Sequence, residues 1–98
     1  MAHIFRSEDK TGRHIYLTDE RWSHINEEHP EVSPYLQEFT ETLKNPTNVA
    51  SYPYDKDIRY FYKYFKQREN KAKYLLIIVK YLNGEGFIIT AYFVRQIK

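Results

Sequence analysis

No cysteine occurs in the chain, which excludes both a disulfide framework and a thiolate metal centre and fits a cytoplasmic address. Also missing is any apolar stretch of bilayer length. The longest, "YLLIIV", falls far short of the roughly 20 residues that a membrane-spanning helix requires. The first ten residues, "MAHIFRSEDK", are interrupted by charge and lack the apolar core of a secretory leader. A soluble protein without membrane association is expected. There is no internal repeat, low-complexity tract or linker long enough to divide the chain. Ninety-eight residues leave no room for a second useful core, so residues 1–98 are expected to form one domain.

What the chain does have is tyrosine. Ten Tyr stand beside six Phe and one Trp, and tyrosine suits half-buried sheet positions where the ring packs and the hydroxyl stays wet. The formal charge of +2 conceals a division. Residues 1–55 hold five Lys/Arg against ten Asp/Glu, whereas residues 56–98 hold ten against three. A basic second half suits an anionic partner, or else pairs with the acidic half inside the fold.

Short strands are expected over 3–7 and 13–17, joined by the turn-like "EDKTG". Thr18 is a good N-cap, with Asp19 and Glu20 in the following turn and Trp22 and Ile25 supplying an apolar side. Pro30 disfavours helical geometry at His29, so this helix should stop near Glu28. Ser33 and Pro34 signal a second helix start, and Leu36, Phe39 and Leu43 form its core-facing stripe up to "KNP" at 44–46. Beyond it, 47–54 reads as an edge strand because Pro53 lacks a donor. "IRYFYKYF" (58–65), "KYLLIIVKYL" (73–82) and "GFIITAYFVRQI" (86–97) complete an antiparallel meander of about four strands, with "NGEG" as a hairpin signal. The expected class is α+β: two N-terminal helices packed on that meander, with a short N-terminal hairpin.

The segment "HINEEHPE" (24–31) places His24 and His29 five residues apart. The zinc-protease pattern needs two histidines four apart on one helical face, so no metal site is expected. Histidine does suit proton transfer to and from a ribose hydroxyl or a leaving oxygen; a solvated helix end is the plainer alternative. In "IRYFYKYF", cations alternate with Tyr60, Tyr62 and Tyr64, a combination that holds phosphates and stacks bases. Strand alternation puts Arg59 and Lys63 on the opposite face from those tyrosines unless a bulge intervenes. A regular turn would pair residue 80 near 89 and separate Lys80 from Thr90 and Tyr92. A glycine bulge in the turn would bring the three together.

The order of elements, with "HINEEHPE" in the first helix, "IRYFYKYF" in a middle strand and "IITAYF" near the end, resembles the barnase–EndoU–colicin–RelE-like RNase superfamily. The likeness is to its small phage- and mobile-element-associated nucleases and runs from about His14 to Lys98. The resemblance implies a metal-independent, toxin-like endoribonuclease that needs no cofactor and acts by 2′-hydroxyl attack. By position it implies catalytic roles for His24, His29, Arg59, Thr90 and Tyr92, and RNA contacts from Tyr62, Lys63, Lys80 and Arg95. It also implies an antitoxin or immunity protein as partner. The rival readings are a non-catalytic RNA-binding domain and a protein-interaction domain of the same fold.

Overall fold

The computed structural model describes residues 3–97. Two strands come first, β1 (His3–Glu8) and β2 (His14–Thr18), followed by α1 (Asp19–Glu28), a 3₁₀ segment (Pro30–Tyr35) and α2 (Leu36–Lys44). Four strands complete the chain: β3 (Asn48–Tyr52), β4 (Asp55–Tyr64), β5 (Tyr74–Leu82) and β6 (Glu85–Val94). The class is α+β, as expected. The sheet, however, has six strands in the order β1-β2-β6-β5-β4-β3 and is mixed. The meander β3 to β6 is antiparallel, but β2 joins β6 in parallel at Ile15–Gly86 and Tyr16–Phe87. The N-terminal hairpin is therefore part of the main sheet, and strands rather than helices open the chain. No helix among the described residues is long and apolar enough to cross a membrane.

Local chemistry accounts for the helix ends. Thr18 is both the last residue of β2 and the N-cap of α1, its hydroxyl accepting from the Arg21 N–H at 3.2 Å. At the other end the His29 N–H donates to the Ile25 carbonyl at 2.7 Å, and Pro30 stops the helix. The expected Ser33–Pro34 start is corrected: Pro34 lies inside the 3₁₀ segment and α2 begins at Leu36. Two prolines in six residues permit only the short, tighter helix before an uninterrupted donor series begins.

The helices cover one face of the sheet. Phe39 and Leu43 from α2, Ile25 from α1 and Val32 meet Phe61, Leu75, Ile77, Val79, Ala91 and Phe93 in the core. Register fixes which residues take part: Phe61–Ile77–Ala91 form one row across β4, β5 and β6, flanked by Lys63–Leu75–Phe93 and Arg59–Val79–Ile88. At Gly86, an added Cβ would lie 2.4 Å from Ile15 Cδ1 and 2.8 Å from Val79 Cγ1. The parallel β2–β6 junction thus closes over a missing side chain. Gly86→Ala should cost about 1–3 kcal/mol through overpacking, measured as a lower urea midpoint with unchanged slope.

The β1–β2 turn is built on Asp9. Its Oδ1 accepts from the Thr11 N–H (2.8 Å), the Thr11 hydroxyl (2.7 Å) and the Arg13 N–H (3.0 Å). Its Oδ2 accepts from the Tyr81 hydroxyl at 2.6 Å. Burial alone would raise the Asp9 pKa, but the hydrogen bonds from Tyr81, Thr11 and Arg13 outweigh it and hold the group below its ordinary value of 3.8. A depressed carboxyl stabilises the fold fully above its unfolded pKa, and that contribution disappears as pH falls through the folded one. Asp9→Asn is accordingly expected to cost about 1–3 kcal/mol near neutrality. The gap to wild type should shrink below about pH 4, as followed by urea unfolding from pH 2 to 7. A gap independent of pH would show that the carboxylate charge contributes nothing.

Candidate functional site

The face of the sheet away from the helices carries a cluster of polar and aromatic side chains. Its rows are Tyr62–Leu76–Tyr92, Tyr60–Ile78–Thr90 and Ile58–Lys80–Phe87. A β-bulge decides this. The Asn83-Gly84 turn, with φ of 55° and 82°, is the tight two-residue kind. It pairs Lys80 with Phe87 and Val79 with Ile88, not residue 80 with 89. One extra residue, Ile89, then intervenes before Thr90 pairs with Ile78. Without it, Thr90 and Tyr92 would point into the core and Ala91 and Phe93 to the open face. Lys80, Thr90 and Tyr92 do therefore share a face, but the bulge lies within β6 and not in the glycine turn.

Tyr60, Tyr62, Leu76, Tyr92, Val94 and Gln96 line a hollow of about 240 Å³ on this face. Tyr60 leans on Tyr62 with ring centroids 6.5 Å apart, and Tyr52 from β3 stacks on Tyr60 at 5.9 Å and 9°. Burial, with smaller contributions from Tyr52 and Tyr92, raises the Tyr60 pKa above its ordinary 10.0. Like any tyrosine near neutrality, Tyr60 is protonated and can donate a hydrogen bond. Tyr62 is 2 % exposed and forms the floor.

His29 reaches this hollow from the side. Strand β2 pairs with β6 only as far as Phe87, and beyond that point α1 and the 3₁₀ segment pack along β6. Because α1 stops at Glu28, His29 lies at that flank, and its ring stacks on Tyr92 at 4.7 Å and 23°. Its Nδ1 faces the Glu31 carboxylate at 3.8 Å. The imidazole is held on two sides, half-buried, beside the tyrosine hollow.

The other residues singled out from sequence are dispersed. His24 is exposed on α1 and makes no hydrogen bond or ring contact among the described residues. Five residues of helix correspond to about 140° of net rotation, so the two histidines do not work side by side. Arg59 lies on the helix-side face, where strand alternation puts it, and its Nη1 donates to the carbonyls of Lys56 and Ile58. The expected meeting of Arg59 with Thr90 and Tyr92 is thus corrected: the sheet separates them. Lys63 is on the same side as Arg59; its Nζ donates to the Asn45 carbonyl at 2.8 Å and approaches Glu41 at 3.4 Å. There it neutralises the C-terminal end of α2.

Lys80 is on the open face, hydrogen-bonded and ion-paired to Asp55, whose pKa that bond lowers. Arg95 is exposed immediately after β6. The structure therefore brings together His29, Thr90, Tyr92 and Tyr62, with Lys80 one row away, and leaves His24, Arg59 and Lys63 elsewhere. Tyr60 was named only among the stacking tyrosines, without a place in the site, and Tyr52 was not singled out. The tyrosine alternation in "IRYFYKYF" carried a signal for the first; the second needed the β3–β4 pairing.

Compared with protein-family models, residues 4–97 match the family described as phage-Barnase-EndoU-ColicinE5/D-RelE like nuclease2. Searches of curated proteins and of solved structures found no match.

Proposed function

The chain belongs to the phage-Barnase-EndoU-ColicinE5/D-RelE like nuclease2 family, and from that premise we propose that it is an endoribonuclease whose active centre is the open face around His29 and Tyr92. The observation that carries this reading is the His29–Tyr92 stack at the side of a tyrosine-lined hollow. It joins a proton-transfer group, hydroxyl donors and aromatic surface for a base at one place on a nuclease fold.

The chemistry follows from those groups. The ribose 2′-hydroxyl attacks the adjacent phosphorus, the bond to the 5′-oxygen breaks, and the products are a 2′,3′-cyclic phosphate and a free 5′-hydroxyl. One proton leaves the nucleophile and one arrives on the leaving oxygen. His29 transfers one of these, its ring fixed by Tyr92 and turned toward Glu31, and the other is exchanged with solvent water. Negative charge grows on the non-bridging oxygens, and preorganised donors there stabilise the transition state more than the ground state. Thr90, Tyr92 and the protonated Tyr60 are the hydroxyls in reach of such a phosphate, with Lys80 supplying positive charge held in place by Asp55. Tyr60, with Tyr52 stacked beside it, offers aromatic surface to an unpaired base, and the buried Tyr62 forms the floor beneath. The proton transfers run through His29 and water and the phosphate charge is met by side chains, so the reading calls for no metal.

A nuclease of this kind must be restrained where it is made. An antitoxin or immunity protein would act most simply by covering the open face, since that blocks His29 and the hollow together. Tyrosine-rich surface suits such a contact.

Incubating the purified protein with single-stranded RNA in EDTA should give fragments ending in cyclic phosphate, with DNA of the same sequence left intact. Salt-sensitive RNA binding without any product would reduce the chain to a binding module.

A further inference from the structure

The opposite side of the sheet holds a second concavity of about 390 Å³, under the β1–β2 turn where the helices do not extend. Phe61 and Tyr81, both buried, form its apolar floor, Val49 stands exposed at its edge, and Lys10, Arg13 and Arg59 bring three positive charges to its walls. None of the three forms an ion pair with a carboxylate among the described residues. The one acid in the cleft, Asp9, has both oxygens committed to the turn and to Tyr81.

The Arg13 guanidinium lies 5.1 Å from the centre of the Tyr81 ring. Arg59 uses Nη1 on its own strand's carbonyls and keeps Nε and Nη2 without a protein partner among the described residues. Burial and the Asp9 hydrogen bond push the Tyr81 hydroxyl well above its ordinary pKa, while Arg13 and Arg59 act in the opposite sense. Both guanidiniums therefore lie within electrostatic reach of that hydroxyl. Three cations against the single Asp9 carboxylate leave a net positive field around a concave apolar surface, and guanidinium forks match phosphate oxygens. The volume is in the range of small-ligand sites.

We propose that this cleft binds a nucleotide unit, its phosphate held by Arg13, Arg59 and Lys10 and its base over the apolar floor, against the exposed side of Val49. The ligand chemistry has two sources, a free mononucleotide or one nucleotide of a strand. Neither depends on cleavage at the open face, so the cleft stands or falls apart from the nuclease reading.

The test is calorimetric titration with adenosine 5′-monophosphate and, separately, with a 2′-O-methyl oligonucleotide of ten residues, which 2′-hydroxyl chemistry cannot cleave. Arg13→Ala and Lys10→Glu should each weaken the bound ligand tenfold or more, whereas Lys71→Ala, an exposed cation in the β4–β5 connection, should leave affinity unchanged. Lys10 is exposed on a turn, so its replacement keeps the test valid even if Arg13→Ala disturbs the fold. Mononucleotide binding that both variants weaken identifies a free-nucleotide site. Oligonucleotide binding weakened by both, with no mononucleotide binding, identifies a strand-holding site. Affinities for both probes that neither variant changes overturn the proposal.

Discussion

His29→Ala is expected to lower RNA cleavage by about 10²–10⁴-fold, the usual contribution of a positioned general acid or base. His24→Ala should cleave as wild type does. The contrast arises because one ring is stacked on Tyr92 beside the tyrosine hollow and the other is exposed on the helix. Loss of the stack removes only about 0.5–1.5 kcal/mol of stability, so the His29 variant should still unfold cooperatively. Single-turnover assays on a fluorescent RNA, with circular dichroism melts of each variant, separate chemistry from folding. Equal activity in the His29 variant and wild type would remove the open face as the reacting centre. Equal loss in both variants would instead place the chemistry nearer to α1.

The largest effect expected on stability is at Phe39. It is completely buried on α2, with its ring edge-on to Phe5 of β1 at 6.2 Å and to Trp22 of α1 at 5.8 Å. One side chain thus joins the second helix to the first strand and the first helix. Phe39→Ala should cost about 3–5 kcal/mol, from lost burial plus the cavity left behind. Against a typical total of about 5–15 kcal/mol for a domain, that is a large fraction. Urea unfolding at 25 °C measures it. The variant should retain its turnover number below its melting transition and lose activity only as it unfolds. A loss below about 1 kcal/mol would mean that the helix layer closes over the gap.

Local chemistry was readable from sequence. Thr18 caps α1, Pro30 stops it, and Phe39 and Leu43 turn inward from α2 as their spacing requires. The apolar run of β5 sits at the centre of the meander, and alternation in β4 puts Arg59 and Lys63 on the other face from Tyr60 and Tyr62. Three features were not legible, each for a physical reason. The β2–β6 pairing is parallel and joins distant segments, so no nearby turn announces it. Ser33 and Pro34 marked a helix start, yet with Pro30 just before them the chain takes a 3₁₀ turn first. The bulge at Ile89 has no residue signature, because an isoleucine between an isoleucine and a threonine looks like any regular strand. Its consequence for the site is large: it decides whether Thr90 and Tyr92 look outward.

That last point alters how the chain can change over time. In β6 the surface proposed to react depends on how many residues lie between the Asn83-Gly84 turn and Thr90, and only secondarily on which they are. Losing one of them would exchange inside for outside along the rest of the strand, burying a threonine and a tyrosine and exposing an alanine and a phenylalanine. Most substitutions at position 89 leave that parity intact. The number of residues in this stretch, more than the identity of residue 89, decides which side chains the strand turns outward.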